Sequence, residues 1–264
     1  MMNPQQARDV LRWHIDAGVD ETIGDVPRDR FASPVPDAAA SLTAAPARPT
    51  PEARPGPSVG PSGEAAVKSA YDQAADARTI DDLRVALQSF DGCALQKTAT
   101  NLVFYNGAPG ARLMFVGEAP GAQEDREGQP FVGPSGALLD KMLASIGIGR
   151  ADVLVSNTVF WRPPGNRTPT SQETAVCLPF LERLIELVDP DILVTLGGPA
   201  SKALLGETQG VGRLRGRWFT YETARMSHPI DATAMFHPAY LLRTPSQKRA
   251  AWQDLLGIRE KLKK

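Results

Sequence analysis

The sequence predicts a three-layer α/β/α domain with a mostly parallel, four-stranded central sheet. Three observations carry that expectation. Four short apolar runs recur along the chain: Leu113-Met114-Phe115-Val116, Val153-Leu154-Val155, Ile192-Leu193-Val194-Thr195 and Ala234-Met235-Phe236. Helical patterns lie between them, and such alternation of strand and helix builds a parallel sheet with helices on its faces. The first three runs are rich in branched apolar residues, as befits strands buried on both sides.

The elements follow in chain order. Val10, Leu11, Ile15 and Val19 fall near helical spacing around Trp13 and His14, predicting an amphipathic helix over 4–17 with Gly18 as its stop. A lone helix of that length is marginal in water, so it is expected to dock on the main body or on a partner. Residues 34–63 hold eight of the 23 prolines and seven alanines, with almost no large apolar side chain. Such a stretch cannot offset its ordering entropy by burial and reads as an extended linker without a fixed fold. The chain therefore divides into an N-terminal helical segment, 1–31, a Pro/Ala-rich linker, 32–65, and a globular domain, 66–264. In that domain Thr79 precedes Ile80-Asp81-Asp82-Leu83, a helix start with acidic residues in its first turn. Further helices are expected over Ser135–Ile146, Ser171–Val188, Pro199–Leu205 and Ser246–Leu262.

Composition bounds the function. Hydrophobic residues make up 42% and charged residues 22%, enough for a proper core. The net charge of −1, from 29 basic and 30 acidic side chains, argues against a histone-like binder but leaves room for a local basic face. Two cysteines are too few for a disulfide scaffold or a Cys-only metal site. No apolar run reaches the ~18 residues of a membrane span, and the charged N-terminus lacks the apolar stretch of a secretory signal. A cytoplasmic protein, without membrane contact, is expected.

In sheets of this kind ligands bind beyond the carboxyl ends of the strands, and the unusual residues cluster there. After the first run come Gly117-Glu118-Ala119-Pro120-Gly121, Glu124-Asp125 and Pro130-Phe131-Val132-Gly133. After the second come Asn157, Arg162-Pro163-Pro164 and Asn166-Arg167; after the third, Gly197-Gly198; after the fourth, His237-Pro238-Ala239-Tyr240-Leu241-Leu242-Arg243. Familiar alternatives fail. No Gly-Lys-Ser/Thr phosphate loop is present. Gly210-Val211-Gly212 follows no strand and lacks the dinucleotide spacing. Ser135 sits in Gly-Pro-Ser-Gly, not in a hydrolase elbow. Cys93, Cys177, His228 and His237 show no zinc-ligand spacing.

Taken together and in order, these segments resemble the family 4 uracil-DNA glycosylases, from about Cys93 to Leu255. The stretch from Gly117 to Gly133 resembles the family's first motif, Asn157 to Arg167 its central one, and His237 to Leu242 its last. The resemblance implies a glycosylase fold and a DNA substrate. It also implies a 4Fe–4S cluster on four cysteines, and here the chain departs: Cys93 and Cys177 stand at the first and fourth ligand positions, but Gln96 and Trp161 occupy the other two. A cluster needs four good donors, normally thiolates. No cluster, no metal and no cofactor is therefore expected.

The implied chemistry can be argued residue by residue. A base must leave the stack before its glycosidic bond can be attacked. Phe131 offers a stacking face, and the planar amide of Asn157 matches uracil's O4 acceptor and N3–H donor, the reverse of cytosine. His237 can donate to O2 as negative charge develops there. Glu118 can orient the attacking water. Glu124 resembles the family glutamate beside the uracil C5 edge, while Asp125 is expected to be a solvated neighbour; either Glu118 or Glu124 can alternatively cap a helix. Gly117, Ala119, Pro120 and Gly121 complete the pocket loop. For DNA, backbone N–H groups at Gly117–Gly121 and Gly197-Gly198 suit phosphates, as do Arg162, Arg167, Arg213, Arg215 and Arg217, and Leu241 or Leu242 suits the gap left by an extruded base.

The expected function is a monofunctional DNA glycosylase in base excision repair. It would remove uracil, with other deaminated bases open, and leave an abasic site. The alternative is a non-catalytic binder of damaged or abasic DNA on the same fold. A monomer near the nucleoid is expected, with the N-terminal helix a candidate contact for another repair factor.

Overall fold

The computed structural model describes residues 63–263. The amphipathic helix expected over 4–17 and nearly all of the linker lie outside the described residues. Helix α1 (Gly63–Asp76) starts inside the stretch assigned to the linker, so residues 63–65 are helical. Helix α2 (Ile80–Ser89) begins as its sequence predicts: Thr79 Oγ1 accepts the Asp82 N–H at 3.1 Å, and Asp82 accepts the Thr79 N–H at 3.0 Å.

One mixed sheet follows. Its strands are β1 (Asn106–Gly107), β2 (Leu113–Gly117), β3 (Val153–Asn157), β4 (Ile192–Leu196), β5 (Trp218–Tyr221) and β6 (Ile230–Met235), in the order β1-β3-β2-β4-β6-β5. The central four are parallel; β2, β3 and β4 contain the first three apolar runs, while β6 starts four residues ahead of the fourth, 234–236, and ends before Phe236. The two edge strands are antiparallel and were not expected. β1 has two residues and no apolar side chain to betray it. β5, Trp218-Phe219-Thr220-Tyr221, is mostly open to solvent, and its bulky aromatic side chains were the signal for a strand there.

Alternation along the strands sorts the core into two layers. Met114, Val116, Leu154 and Leu193 point to one face and pack with α1, α2 and α5 (Ser171–Val188). Leu113, Phe115, Val153, Val155 and Val194 point to the other, against Leu139 and Leu143 of α4 (Pro134–Ala144) and Leu255 and Ile258 of α9 (Lys248–Leu262). The remaining helices are short: α3 (Ala122–Glu127), α6 (Gly198–Leu205), α7 (Val211–Leu214) and α8 (Pro238–Arg243). Parallel register pairs Gly117 with Asn157 and Leu196 with Met235. The carboxyl ends of the four central strands thus share one edge, and the loops after them meet there.

Candidate active site

A cavity of about 440 Å³ opens at that edge, lined by Glu118, Gly121, Glu124, Phe131, Asn157 and His237 among others. Asn157, the last residue of β3, is 2% exposed, and its side chain faces this cavity. The chain holds it in place through its neighbours. The Thr158 N–H donates to the Gly117 carbonyl at 2.9 Å and the Thr158 hydroxyl to the Glu118 carbonyl at 2.6 Å. The loop bearing Glu118 is therefore sewn to the strand bearing Asn157.

Phe131 lines the same cavity. Its φ of 56° is unusual for a bulky residue. Two features around it fit that conformation. A side chain on Gly136 would collide with the Phe131 carbonyl, so glycine lets α4 begin where it does. Glu124 then ties the loops on either side: one carboxylate oxygen accepts the Gly121 N–H at 3.1 Å, the other the Gly133 N–H at 2.9 Å. The Phe131 ring stacks on the His237 imidazole, centroids 5.7 Å apart at 27°.

His237 caps α8, and its Nδ1 accepts the Ala239 N–H at 3.1 Å. A nitrogen that accepts carries no proton, so the neutral ring bears its hydrogen on Nε2. Burial pushes the imidazole down to about 4, and the nearby Arg243 charge adds to the shift against a smaller opposing effect of Glu124. At neutral pH His237 is an uncharged N–H donor. Gly197, at φ 92°, gives it room: a Cβ there would lie 3.3 Å from the His237 Cβ.

The model of the uracil DNA glycosylase superfamily matches residues 104–256, more than half of the chain. The chain is 38% identical to the type-4 uracil-DNA glycosylase of Archaeoglobus fulgidus over 186 residues, 69% of this chain and 92% of that one. It is 39% identical to the Thermotoga maritima type-4 enzyme over 175 residues, 65% and 88% of the two chains. For the Sulfurisphaera tokodaii enzyme the figures are 36% over 187 residues, 69% and 84%.

The chain belongs to the uracil-DNA glycosylase superfamily.

The cysteine region departs from the four-cysteine ligand set that the resemblance implies. Cys93 and Cys177 are both buried, with their sulfurs 3.9 Å apart. Trp161, 3% exposed, belongs to the same apolar cluster and meets Phe160 edge-on. The Gln96 amide donates to the Gln88 carbonyl on the exposed side. Two touching thiols, an indole and an amide turned elsewhere are no donor set for a four-iron cluster. The residues present do not fit that group.

The structure brings Gly117, Glu118, Ala119, Pro120, Gly121, Glu124, Phe131, Asn157 and His237 to one place. Arg167 lines the cavity as well, paired in a fork with Glu173 at 2.7 and 2.8 Å; Arg162 does not line it, but its Nε bonds Asn166, which does, at 2.7 Å. Other expectations need correction. Arg215 is turned inward: Nε and Nη2 bond Asp254 at 2.9 and 2.8 Å, so it does not present its charge to phosphate. Leu241 is fully buried in the core, which leaves Leu242, 42% exposed, as the free apolar side chain. The Gly197 N–H is already donated to the Met235 carbonyl at 2.9 Å and is not free for an anion. Asp125 is not solvated but buried, accepting the Thr100 and Asn101 N–H groups at 2.8 and 3.1 Å. No role for Arg243 follows from the sequence alone. It lines the cavity and acts on His237, and its place at the end of the short helix that His237 begins was its signal.

Proposed function

We propose that the protein is a monofunctional uracil-DNA glycosylase. It hydrolyses the N-glycosidic bond of uracil in DNA and leaves an abasic site for base excision repair. The observation that carries this reading is the meeting of a planar amide, an aromatic face and a neutral imidazole N–H in one cavity.

Each group has a role in that reaction. The uracil leaves the stack and enters the cavity, where the Asn157 amide pairs with O4 and N3–H and Phe131 covers the ring face. As the C1′–N1 bond lengthens, the sugar gains positive charge and uracil negative charge at O2. The His237 Nε2–H donates to that oxygen. A fixed neutral donor in a dry site suits a developing anion because it needs no reorganisation. Glu118 orients a water toward C1′ and stabilises the cationic sugar. Water adds to C1′ as the C1′–N1 bond breaks, its proton passes to the Glu118 carboxylate and on to solvent, and uracil departs as an anion that solvent later protonates. Glu124, with both oxygens held by backbone N–H groups, shapes the pocket by fixing two loops. Arg167 and Arg243 on the cavity wall and Arg162 beyond it meet phosphates, and Leu242 fills the gap in the stack.

The test is direct. The purified protein is incubated with a uracil-containing oligonucleotide, and abasic sites are cleaved by alkali. Strand scission that depends on both uracil and protein is expected. Tight binding without scission would instead favour the non-catalytic binder.

A further inference from the structure

Arg215 bridges three elements. From the link between α7 and β5, its guanidinium reaches α9, where Asp254 takes two parallel hydrogen bonds and the Ala250 carbonyl a third. Gly216, at φ 74°, makes the turn behind it. The same guanidinium lies over the ring of Phe236, 5.6 Å from its centroid. That ring also meets Tyr240, at 5.1 Å and 37°. Phe236 is the residue immediately before His237.

The Asp254 side chain is 4% exposed and that of Arg215 21%. A pair so buried is a poor source of stability, because lost hydration consumes most of the attraction, and apolar side chains of similar volume often do as well. What a two-pronged ion pair supplies, and an apolar contact does not, is a fixed angle. Here that angle holds a flat guanidinium against the residue from which His237 springs.

We infer that Arg215 and Asp254 are positioning residues for His237: their pair braces Phe236, and so sets the direction in which the imidazole N–H points into the cavity. The Ala239 N–H and the Phe131 ring fix the imidazole itself. The brace fixes the backbone that carries it, and small misplacements of a catalytic donor cost rate steeply. The inference rests on the glycosylase reading for its kinetic consequence, but not for its structural one.

Two substitutions in the full chain test it. Asp254→Asn keeps the shape but breaks the charged fork; Phe236→Leu leaves the ion pair and removes the braced ring. Each should slow single-turnover uracil excision about tenfold or more while affinity for the uracil oligonucleotide stays within about twofold of wild type. Arg215→Lys, which keeps charge without the planar fork, should fall between. Spectra of ¹⁵N-histidine-labelled protein, taken without DNA, should show a single Nε2–H tautomer for His237 in the wild type, and in the variants the same tautomer with its imidazole resonances shifted as the ring moves. Variants with lower melting temperatures but wild-type rates and an unchanged imidazole signal would overturn the brace. So would a loss confined to DNA affinity, which would return Arg215 to the phosphate backbone. A wild-type protein that excises no uracil would overturn the glycosylase reading alone, since the imidazole comparison needs no substrate.

Discussion

The amide oxygen of Asn157 occupies the space that any side chain on Gly117 would need. A Cβ on Gly117 would come 2.5 Å from Asn157 Oδ1 and 2.7 Å from the tip of the Phe131 ring. Glycine at this strand end is therefore a condition for the pocket, not merely for the turn after it. Gly117→Ala should displace the amide or the ring by about an ångström, and such a shift costs on the order of a hundredfold in rate. Excision should fall accordingly while the melting temperature changes little. Unchanged kinetics would mean that neither side chain is held where the reaction needs it.

Asn157→Ala removes the base-reading amide without burdening the strand. By analogy with loss of one preorganised donor, excision should fall by about 10²–10³. Circular dichroism should be unaltered. Retention of more than a tenth of wild-type activity would take Asn157 out of the recognition step.

The buried imidazole links stability to pH. An unfolded histidine takes up its proton near pH 6.5, whereas His237 in the folded protein resists until about 4. Between those values unfolding binds a proton. The stability that comes from keeping the ring neutral is thus complete above about pH 6.5 and is lost as pH falls toward 4. The difference amounts to about 3 kcal/mol. Urea titrations at pH 7 and pH 4 should show wild type losing roughly that much more than His237→Gln, which cannot titrate. Parallel losses in the two proteins would show that His237 is charged well before pH 4.

How far the sequence reaches can be judged from particular residues. The parallel core was legible because Leu113–Val116 and Ile192–Val194 have no polar position, as burial on both faces demands. The site was legible because a parallel sheet puts all its carboxyl ends on one edge, so Glu118, Asn157 and His237 were expected there together; the strand order itself does not follow from the sequence. What stayed hidden depended on partners far along the chain. Nothing local tells that Arg215 meets Asp254, 39 residues on, rather than solvent. Leu241 and Leu242 are identical in composition and adjacent, and only the orientation of a six-residue helix decides which is buried. Asp125 reads as a charge beside Glu124, yet it caps backbone N–H groups at Thr100 and Asn101.

Glu124 illustrates a role that shape alone reveals. Both of its oxygens accept backbone N–H groups, from Gly121 and from Gly133. Glu124→Gln keeps the length but replaces one acceptor with an N–H₂ that must face another N–H. A donor left unsatisfied costs about 1–3 kcal/mol, so the variant should lose stability in that range. It should also lose excision through a looser Phe131 loop. Full stability with normal activity would show that the two loops hold without the carboxylate.

Trp161 carries the last expectation. The indole stands at one of the four ligand positions implied by the family resemblance, 3% exposed and in the cluster that contains Cys93 and Cys177. Where a metal cluster would cross-link the surrounding segments, this chain has apolar contact. Burial of a large aromatic is worth enough for that purpose: truncation to alanine typically costs 3–5 kcal/mol, a value we take as ~4 here. The purified protein should be colourless and contain no stoichiometric iron, chelators should leave its excision rate unchanged, and Trp161→Ala should lower the urea midpoint without changing metal content. Four irons per chain with a visible absorption band would contradict this account of the region. Full stability of Trp161→Ala would show instead that the contacts around Phe160 and Phe180 suffice without the indole.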